Sequence, residues 1–306
     1  MDMLNEIMGI PEHAKLFIEK SPAFSLPLGT PYLGMGSSYF SCLAFKYMGI
    51  DIYPETAAEY FYYLSGNSKL PMGALLSQSG KSSEALWCRD LFDKYIAVTN
   101  DRESPIALHP AVENVVDLYA GKEEYSSSKT YINTLLALFK GFGFDQAKKM
   151  ARLSGNMEKY RKQGKELAEK VFEIMQHKNI SGFYITGAGP NIATALQAAL
   201  ILSETTKLGF QGMSLGQYDH GPKETAANSI VIQVVSRGKE YERNKKTREM
   251  IRAAGADVFI VEEQDADEFE SVLYNIIPFN FLGYYLADLL GIKETFVVGK
   301  KITEVE

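Results

Sequence analysis

Short apolar runs that stop at glycine turns alternate along this chain with longer stretches whose apolar positions recur at helical spacing, as when strands feed helices. A short helix is expected near Pro11 to Lys20, then an extended run from Pro31 to Met35 that ends in Gly34-Met35-Gly36-Ser37-Ser38. A helix from about Tyr39 to Tyr47 should follow. The same order returns at Gly182 to Asn191, where Gly187-Ala188-Gly189-Pro190-Asn191 closes a strand and Ile192 to Leu208 carries the helical spacing. Two copies of one pattern suggest a duplicated domain. Further strands are predicted at Gly73–Leu76, Tyr95–Thr99, Ile230–Val235 and Asp257–Val261, with amphipathic stretches at Ser83–Lys94 and Tyr241–Ala254. Strand and helix in turn predict an α/β fold, in which parallel sheets are covered on both faces and ligands bind beyond the carboxyl ends of the strands. Helical sequence from Lys129 to Lys178 should join the halves, with the boundary near residue 150, giving domains over 1–150 and 151–306.

The length agrees, because 306 residues exceed the usual size of one hydrophobic core. A hydrophobic share of 46% with 23% charged residues is that of a globular chain, which excludes the disordered and fibrous classes. The net charge of -6 offers no reason to expect nucleic acid, whose binding rests on clustered Lys and Arg. Cys42 and Cys88 belong to no CxxC or Cys/His cluster, so neither a metal site nor a disulfide framework is indicated, and reduced thiols are the simpler reading. The N-terminus lacks a basic region followed by an apolar core, and no apolar run reaches the roughly 18 residues of a bilayer span. A cytoplasmic protein without membrane partners is expected.

The strongest local signal is Leu75-Leu76-Ser77-Gln78-Ser79-Gly80-Lys81-Ser82-Ser83-Glu84. A strand end delivers hydroxyls and an amide, Gly80 lets the backbone turn closely, and a helix should start at about Ser82 or Ser83. Backbone N–H groups at such a terminus, together with the hydroxyls, form an anion cradle suited to a phosphate. Ser82 or Ser83 could serve merely as an N-cap. Hydroxyls at Ser77, Ser79, Ser82 and Ser83 around one glycine exceed what capping requires.

These motifs, taken in order, resemble the sugar isomerase (SIS) family, and within it the isomerase half of glutamine:fructose-6-phosphate aminotransferase and stand-alone archaeal-type glucosamine-6-phosphate deaminases. Leu4 to Pro11 resembles the family's opening segment, Gly34 to Ser38 its first glycine turn, and Ser77 to Ser82 its phosphate loop. Val98-Thr99-Asn100 with Ser104-Pro105 matches the next strand and turn, and Ala120-Gly121-Lys122-Glu123 leading to Ser127-Ser128-Lys129-Thr130-Tyr131 matches the segment that closes over the sugar. The resemblance covers nearly the whole chain. It implies two flavodoxin-like SIS domains, each an αβα sandwich, with a short C-terminal tail. It also implies that Ser77, Gln78, Ser79 and Ser82 bind phosphate while Ser37, Ser38 and Ser127 contact the sugar, Ser127 being preferred to Ser128.

In the second half, Glu204 ends an apolar helical stretch and is followed after 16 residues by His220 in Asp219-His220-Gly221-Pro222-Lys223. A carboxylate can move a proton between adjacent carbons of an open-chain sugar, and an imidazole titrating near neutrality can open the ring. Glu204 could instead be a charged helix end pairing with Lys207, and His220 a turn residue held by Pro222. The spacing matches the family's Glu and His-Gly-Pro pair. In that family the His comes from the neighbouring subunit, which implies a homodimer with shared active sites. The tail Gly299-Lys300-Lys301-Ile302-Thr303 resembles the family's tail lysine; aligning the threonine selects Lys300, Lys301 stays open, and a solvated charged tail is the plain alternative. His13, His109 and His177 are expected at the surface.

Departures from the family pattern narrow the activity. The chain starts at the isomerase-type segment, so no glutaminase domain is expected. Ile201 stands where the aminotransferase carries a lysine, and Ser236-Arg237-Gly238 replaces a second serine loop, leaving one phosphate site per subunit. The leading expectation is an enzyme that interconverts glucosamine 6-phosphate with fructose 6-phosphate and ammonia, without metal or other cofactor. A fructosamine-6-phosphate deglycase is the alternative enzyme, and a non-catalytic sugar-phosphate-binding regulator the alternative of another class.

Overall fold

The computed structural model describes residues 3–145, 147–299 and 301. It holds two parallel sheets. The first contains β1 (Pro31–Gly34), β2 (Tyr53–Thr56), β3 (Leu70–Leu76), β4 (Phe92–Thr99) and β5 (Val112–Asp117), in the order β2-β1-β3-β4-β5. The second contains β6 (Gly182–Gly187), β7 (Phe210–Ser214), β8 (Ser229–Val235) and β9 (Asp257–Glu262), in the order β7-β6-β8-β9. All registered pairs are parallel. Strands buried on both faces read as continuous apolar runs, which is why Ala74-Leu75-Leu76, Tyr95 to Val98 and Ile230 to Val235 announce themselves. The strands β2, β5 and β7 do not, because each lies at a sheet edge and carries exposed or half-exposed residues such as Glu55, Glu113 and Gln211.

The helices are α1 (Met3–Met8), α2 (Ile10–Lys20), α3 (Ser37–Tyr47), the short α4 (Ala57–Glu59), α5 (Ser83–Trp87), α6 (Lys129–Gly141), α7 (Ala147–His177), α8 (Asn191–Thr206), α9 (Leu215–Asp219), α10 (Tyr241–Ala253), α11 (Ser271–Asn275) and α12 (Ile277–Leu289). None of those described is long and apolar enough to cross a membrane. Two expectations change. The amphipathic stretch Ser83–Lys94 is helical only to Trp87, turns as a 3-10 helix over Cys88–Leu91, and becomes β4 from Phe92. The stretch Lys129–Lys178 is two helices, the first ending at Gly141.

The chain divides into two compact units. Among the described residues, one comprises Met8–Ser154 with Val297–Gly299 and Lys301, the other Gly155–Phe296 with Met3–Ile7. In the first unit, Phe45 of α3 meets Phe139 of α6 edge-on with ring centres 4.8 Å apart. In the second, α8 packs on α12 so closely that a Cβ at Gly283 would stand 2.8 Å from Thr205 Oγ1 and 3.3 Å from Ile201 Cγ2. Both cysteines are buried and unbridged, and burial pushes each thiol up to about 12, so neither is a thiolate at neutral pH.

Candidate functional site

In a doubly wound sheet, the crevice opens where consecutive connections leave in opposite directions. In the first sheet β1 is followed by β2 on one side and β3 on the other, so this point lies between β1 and β3. The turn after β1 is Gly34 to Ser38, and the loop after β3 is Ser77 to Ser82. They adjoin: a Cβ on Gly34 would stand 2.8 Å from Ser38 Cβ and 3.1 Å from the Leu76 carbonyl oxygen. Ser37 and Ser38 are half-buried in the first turn of α3.

The Ser77–Ser82 loop folds on itself. Ser77 Oγ accepts from Gly80 N at 3.1 Å and faces Ser82 Oγ at 3.1 Å, while Ser79 Oγ accepts from Lys81 N at 3.2 Å. Gly80 has φ +64, and a side chain there would collide with the Ser104 hydroxyl, so the position requires glycine. Ser82 occupies the N-cap position of α5 but makes no side-chain cap bond. Its hydroxyl turns into the loop, against the plain capping reading. With only Ser83–Trp87 helical, α5 supplies little dipole, which corrects the expected weight of a helix terminus and shifts it to the loop hydroxyls as candidate anion-binding groups.

Asn100 is a residue that the sequence left without a role. Its backbone N donates to Gln78 O at 3.0 Å, its Nδ2 donates to Gly121 O at 2.7 Å, and its Oδ1 accepts from Ala120 N at 2.8 Å. One residue at the end of β4 thereby ties the Ser77–Ser82 loop, through its backbone, to the segment after β5, through its side chain. In that segment Glu123 is buried and accepts from Ser128 N, Ser128 Oγ and Thr130 N at 3.0, 3.1 and 3.2 Å, and from Thr130 Oγ1 at 2.5 Å. It caps α6 from outside the helix. Burial alone would raise the Glu123 carboxyl, but the Lys301 ammonium and the bonds from Thr130 and Ser128 outweigh it and hold the group below the ordinary carboxylate range. Ser127 is half-buried, whereas Ser126 Oγ is buried without a hydrogen-bond partner among the described residues.

Tail residue Lys301 pairs with Glu123 at 3.2 Å, while Lys300 lies outside the described residues. Of the three histidines expected at the surface, two are more enclosed. His13 is half-buried with Nδ1 against Tyr119 O at 3.1 Å, and His109 is half-buried against the Tyr95 ring and Asp90; His177 is exposed. A turn signal alone could not reveal these packing partners.

In the second unit, Glu204 lies half-buried in the last turn of α8, where Ser203 Oγ donates to Phe210 O at 3.4 Å, at the start of β7. Lys207 Nζ donates to the Glu204 and Thr295 carbonyls, and the Glu204 charge acts on its ammonium as well. His220 follows α9 beyond the other end of β7 and is exposed; neighbouring Asp219 pairs with Lys223 and with Arg243 in the first turn of α10. Within this unit the two candidates therefore lie toward opposite ends of the five-residue strand β7. The second sheet's own crevice, between β6 and β8, is occupied by a carboxylate: Glu268 presses against Gly238, and its Oε1 stands 3.2 Å from where a Gly189 Cβ would be. A bound anion there would meet like charge. Ile201 is fully buried in this unit's core.

No family model matches the chain. It is 24% identical over 284 residues to the glutamine–fructose-6-phosphate aminotransferase [isomerizing] of Methanothermobacter thermautotrophicus, covering 84% of this chain and 48% of that protein. To the Pyrococcus horikoshii protein of the same name it is 27% identical over 299 residues, with 84% and 48% covered. The chain thus spans about half the length of the curated relatives it matches. Among solved structures, a glucosamine-6-phosphate deaminase from Thermotoga maritima superposes with TM-score 0.76 at 20% identity over 95% of each chain. The C-terminal domain of glucosamine-fructose-6-phosphate aminotransferase from Francisella tularensis gives 0.74 at 17% identity over 95% of this chain and 97% of the other. The parallel sheets, the glycine turns at their carboxyl ends and these likenesses agree: the chain has the two-domain α/β fold of the sugar isomerase (SIS) family and resembles the isomerase half of the glutamine:fructose-6-phosphate aminotransferases.

Proposed function

We propose that the chain is an amino-sugar phosphate deaminase and isomerase that interconverts glucosamine 6-phosphate with fructose 6-phosphate and ammonia. The observation that carries this reading is the hydroxyl-lined loop at the crevice of the first sheet, where Ser77 and Ser82 converge around Gly80. Hydroxyls and loop N–H groups bind a phosphate ester without demanding a countercharge. Ser77, Gln78, Ser79 and Ser82 hold the phosphate, while Ser37, Ser38 and Ser127 bind sugar hydroxyls.

His220 opens the ring, and Glu204 takes the C2 proton and returns it to C1, so that an enolamine becomes the C2 ketimine. Water adds to C2 and ammonia leaves, giving fructose 6-phosphate. Lys300 contributes from the tail. Because Glu204 and His220 lie toward opposite ends of β7, a site that uses both draws them from two chains, which favours a homodimer with shared sites. The likeness to a solved deaminase supports the reaction class.

The test is ammonia release from glucosamine 6-phosphate by purified protein and by Glu204→Gln. Release by the native protein and its loss in the variant are expected; no release by the native protein sinks the proposal. Fructose 6-phosphates substituted with amino acids should be poorer substrates, and a reversal of that preference would mark a deglycase.

A further inference from the structure

Lys300 and Lys301 are adjacent and chemically alike, yet geometry gives Lys301 a role of its own. An ammonium has three N–H donors and no acceptor. Lys301 Nζ donates to Tyr125 O at 2.5 Å, to Glu123 O at 3.0 Å and to Glu123 Oε2 at 3.2 Å. Every donor is thereby engaged by protein, and none remains for a sugar. The partner carboxylate is itself saturated: its side chain is 0% exposed, Oε1 accepts from Ser128 and Thr130, and Oε2 accepts from Thr130 Oγ1 and Lys301. Removing one member of a buried pair strands the other charge, so such a contact opens rarely.

We infer that Lys301 is a latch: its ion pair with Glu123 fastens the C-terminal tail to the 123–130 segment and sets the position of Ser126 to Ser128 at the carboxyl edge of the first sheet. The consequence for a bound sugar rests on the function proposed above; the latch itself does not. Position is relayed by named contacts. Lys301 holds Glu123, and three residues upstream the chain is held by Asn100, which also binds the backbone of Gln78 in the Ser77–Ser82 loop. Lys301 is thus a positioning residue, and the tail can reach the substrate only through a different side chain.

Trypsin provides the test, because it must draw a lysine side chain into its own pocket before cutting the following bond. Cleavage after Lys301 in the native protein, followed by mass spectrometry, should be slow, and Glu123→Gln should speed it at least about tenfold by raising the population of the open tail. Ser128→Ala, which keeps the ion pair, should leave the rate within about twofold of native. Equal rates for native protein and Glu123→Gln, or equal acceleration by Ser128→Ala and Glu123→Gln, would overturn the latch.

Should Glu123→Gln fail to fold, Lys301→Met gives a second reading. Amide exchange at Ser128 and Thr130 should quicken about tenfold, and unchanged exchange overturns the inference. Neither measurement needs turnover, so failure of the proposed reaction would be seen separately. With turnover, Lys301→Met should raise KM about tenfold with kcat within about threefold, whereas a hundredfold or so loss of kcat at constant KM would make Lys301 a catalyst and remove the latch.

Discussion

Ser77 Oγ and Ser82 Oγ face each other at 3.1 Å across a loop whose turn at Gly80 is closed by the Gly80 N–H donating to Ser77 Oγ. One hydroxyl therefore both shapes the loop and lines it. Hydrogen bonds to a charged ligand contribute roughly 1.5–3 kcal/mol each, so Ser77→Ala should weaken fructose 6-phosphate binding about 10- to 100-fold. Calorimetric titration checks this; affinity unchanged in both Ser77→Ala and Ser82→Ala would place the phosphate elsewhere.

Gly80→Ala should be worse than either serine change. The left-handed backbone costs a side chain roughly 1–2 kcal/mol, and the collision with Ser104 adds about 1–3 kcal/mol of overpacking. A lower thermal midpoint together with lost ligand binding is expected. A midpoint equal to the native value would show that the turn relaxes freely.

Acid should loosen both units. Burial tends to raise Glu263 as it does Glu123, but hydrogen bonds from Lys159 and Tyr160 prevail and lower its pKa. A carboxyl depressed in the folded state contributes stability that is full above the unfolded pKa, about 4.3 for Glu, and is lost as pH falls through the folded value. Urea midpoints should hold from neutrality to about pH 5 and fall below about pH 4. In Glu263→Gln the acid-dependent part of that fall should shrink; an identical profile would remove Glu263 as a cause.

If Glu204 and His220 of different chains share a site, Glu204→Gln and His220→Asn should complement. Each alone should be nearly inactive, and mixed subunits should recover about a quarter of native activity, since half the dimers are hybrids with one intact site of two. Inactive mixtures of proven hybrids would refute the shared site.

The Ser77–Ser82 loop was legible in the sequence because strand, glycine and hydroxyls lie within one short stretch, and local chemistry is written locally. The buried strands β3, β4 and β8 were legible because burial on both faces demands unbroken apolar runs. Edge strands such as β5 are not legible, since one polar face blurs the pattern. The end of α5 is not legible in the sequence, because an amphipathic period persists through Phe92, where pairing with β3 takes over the backbone.

What the sequence determined by itself was thus the α/β alternation, the duplicated glycine turn and the residue types available for chemistry. Only tertiary structure decided that Asn100 joins the Ser77–Ser82 loop to Gly121, that Glu268 fills the second crevice, and that Lys301 is spent on Glu123, 178 positions away in the chain. Each of these is a contact between groups distant in sequence, set by how strands order themselves in a sheet, and no spacing along the chain encodes it.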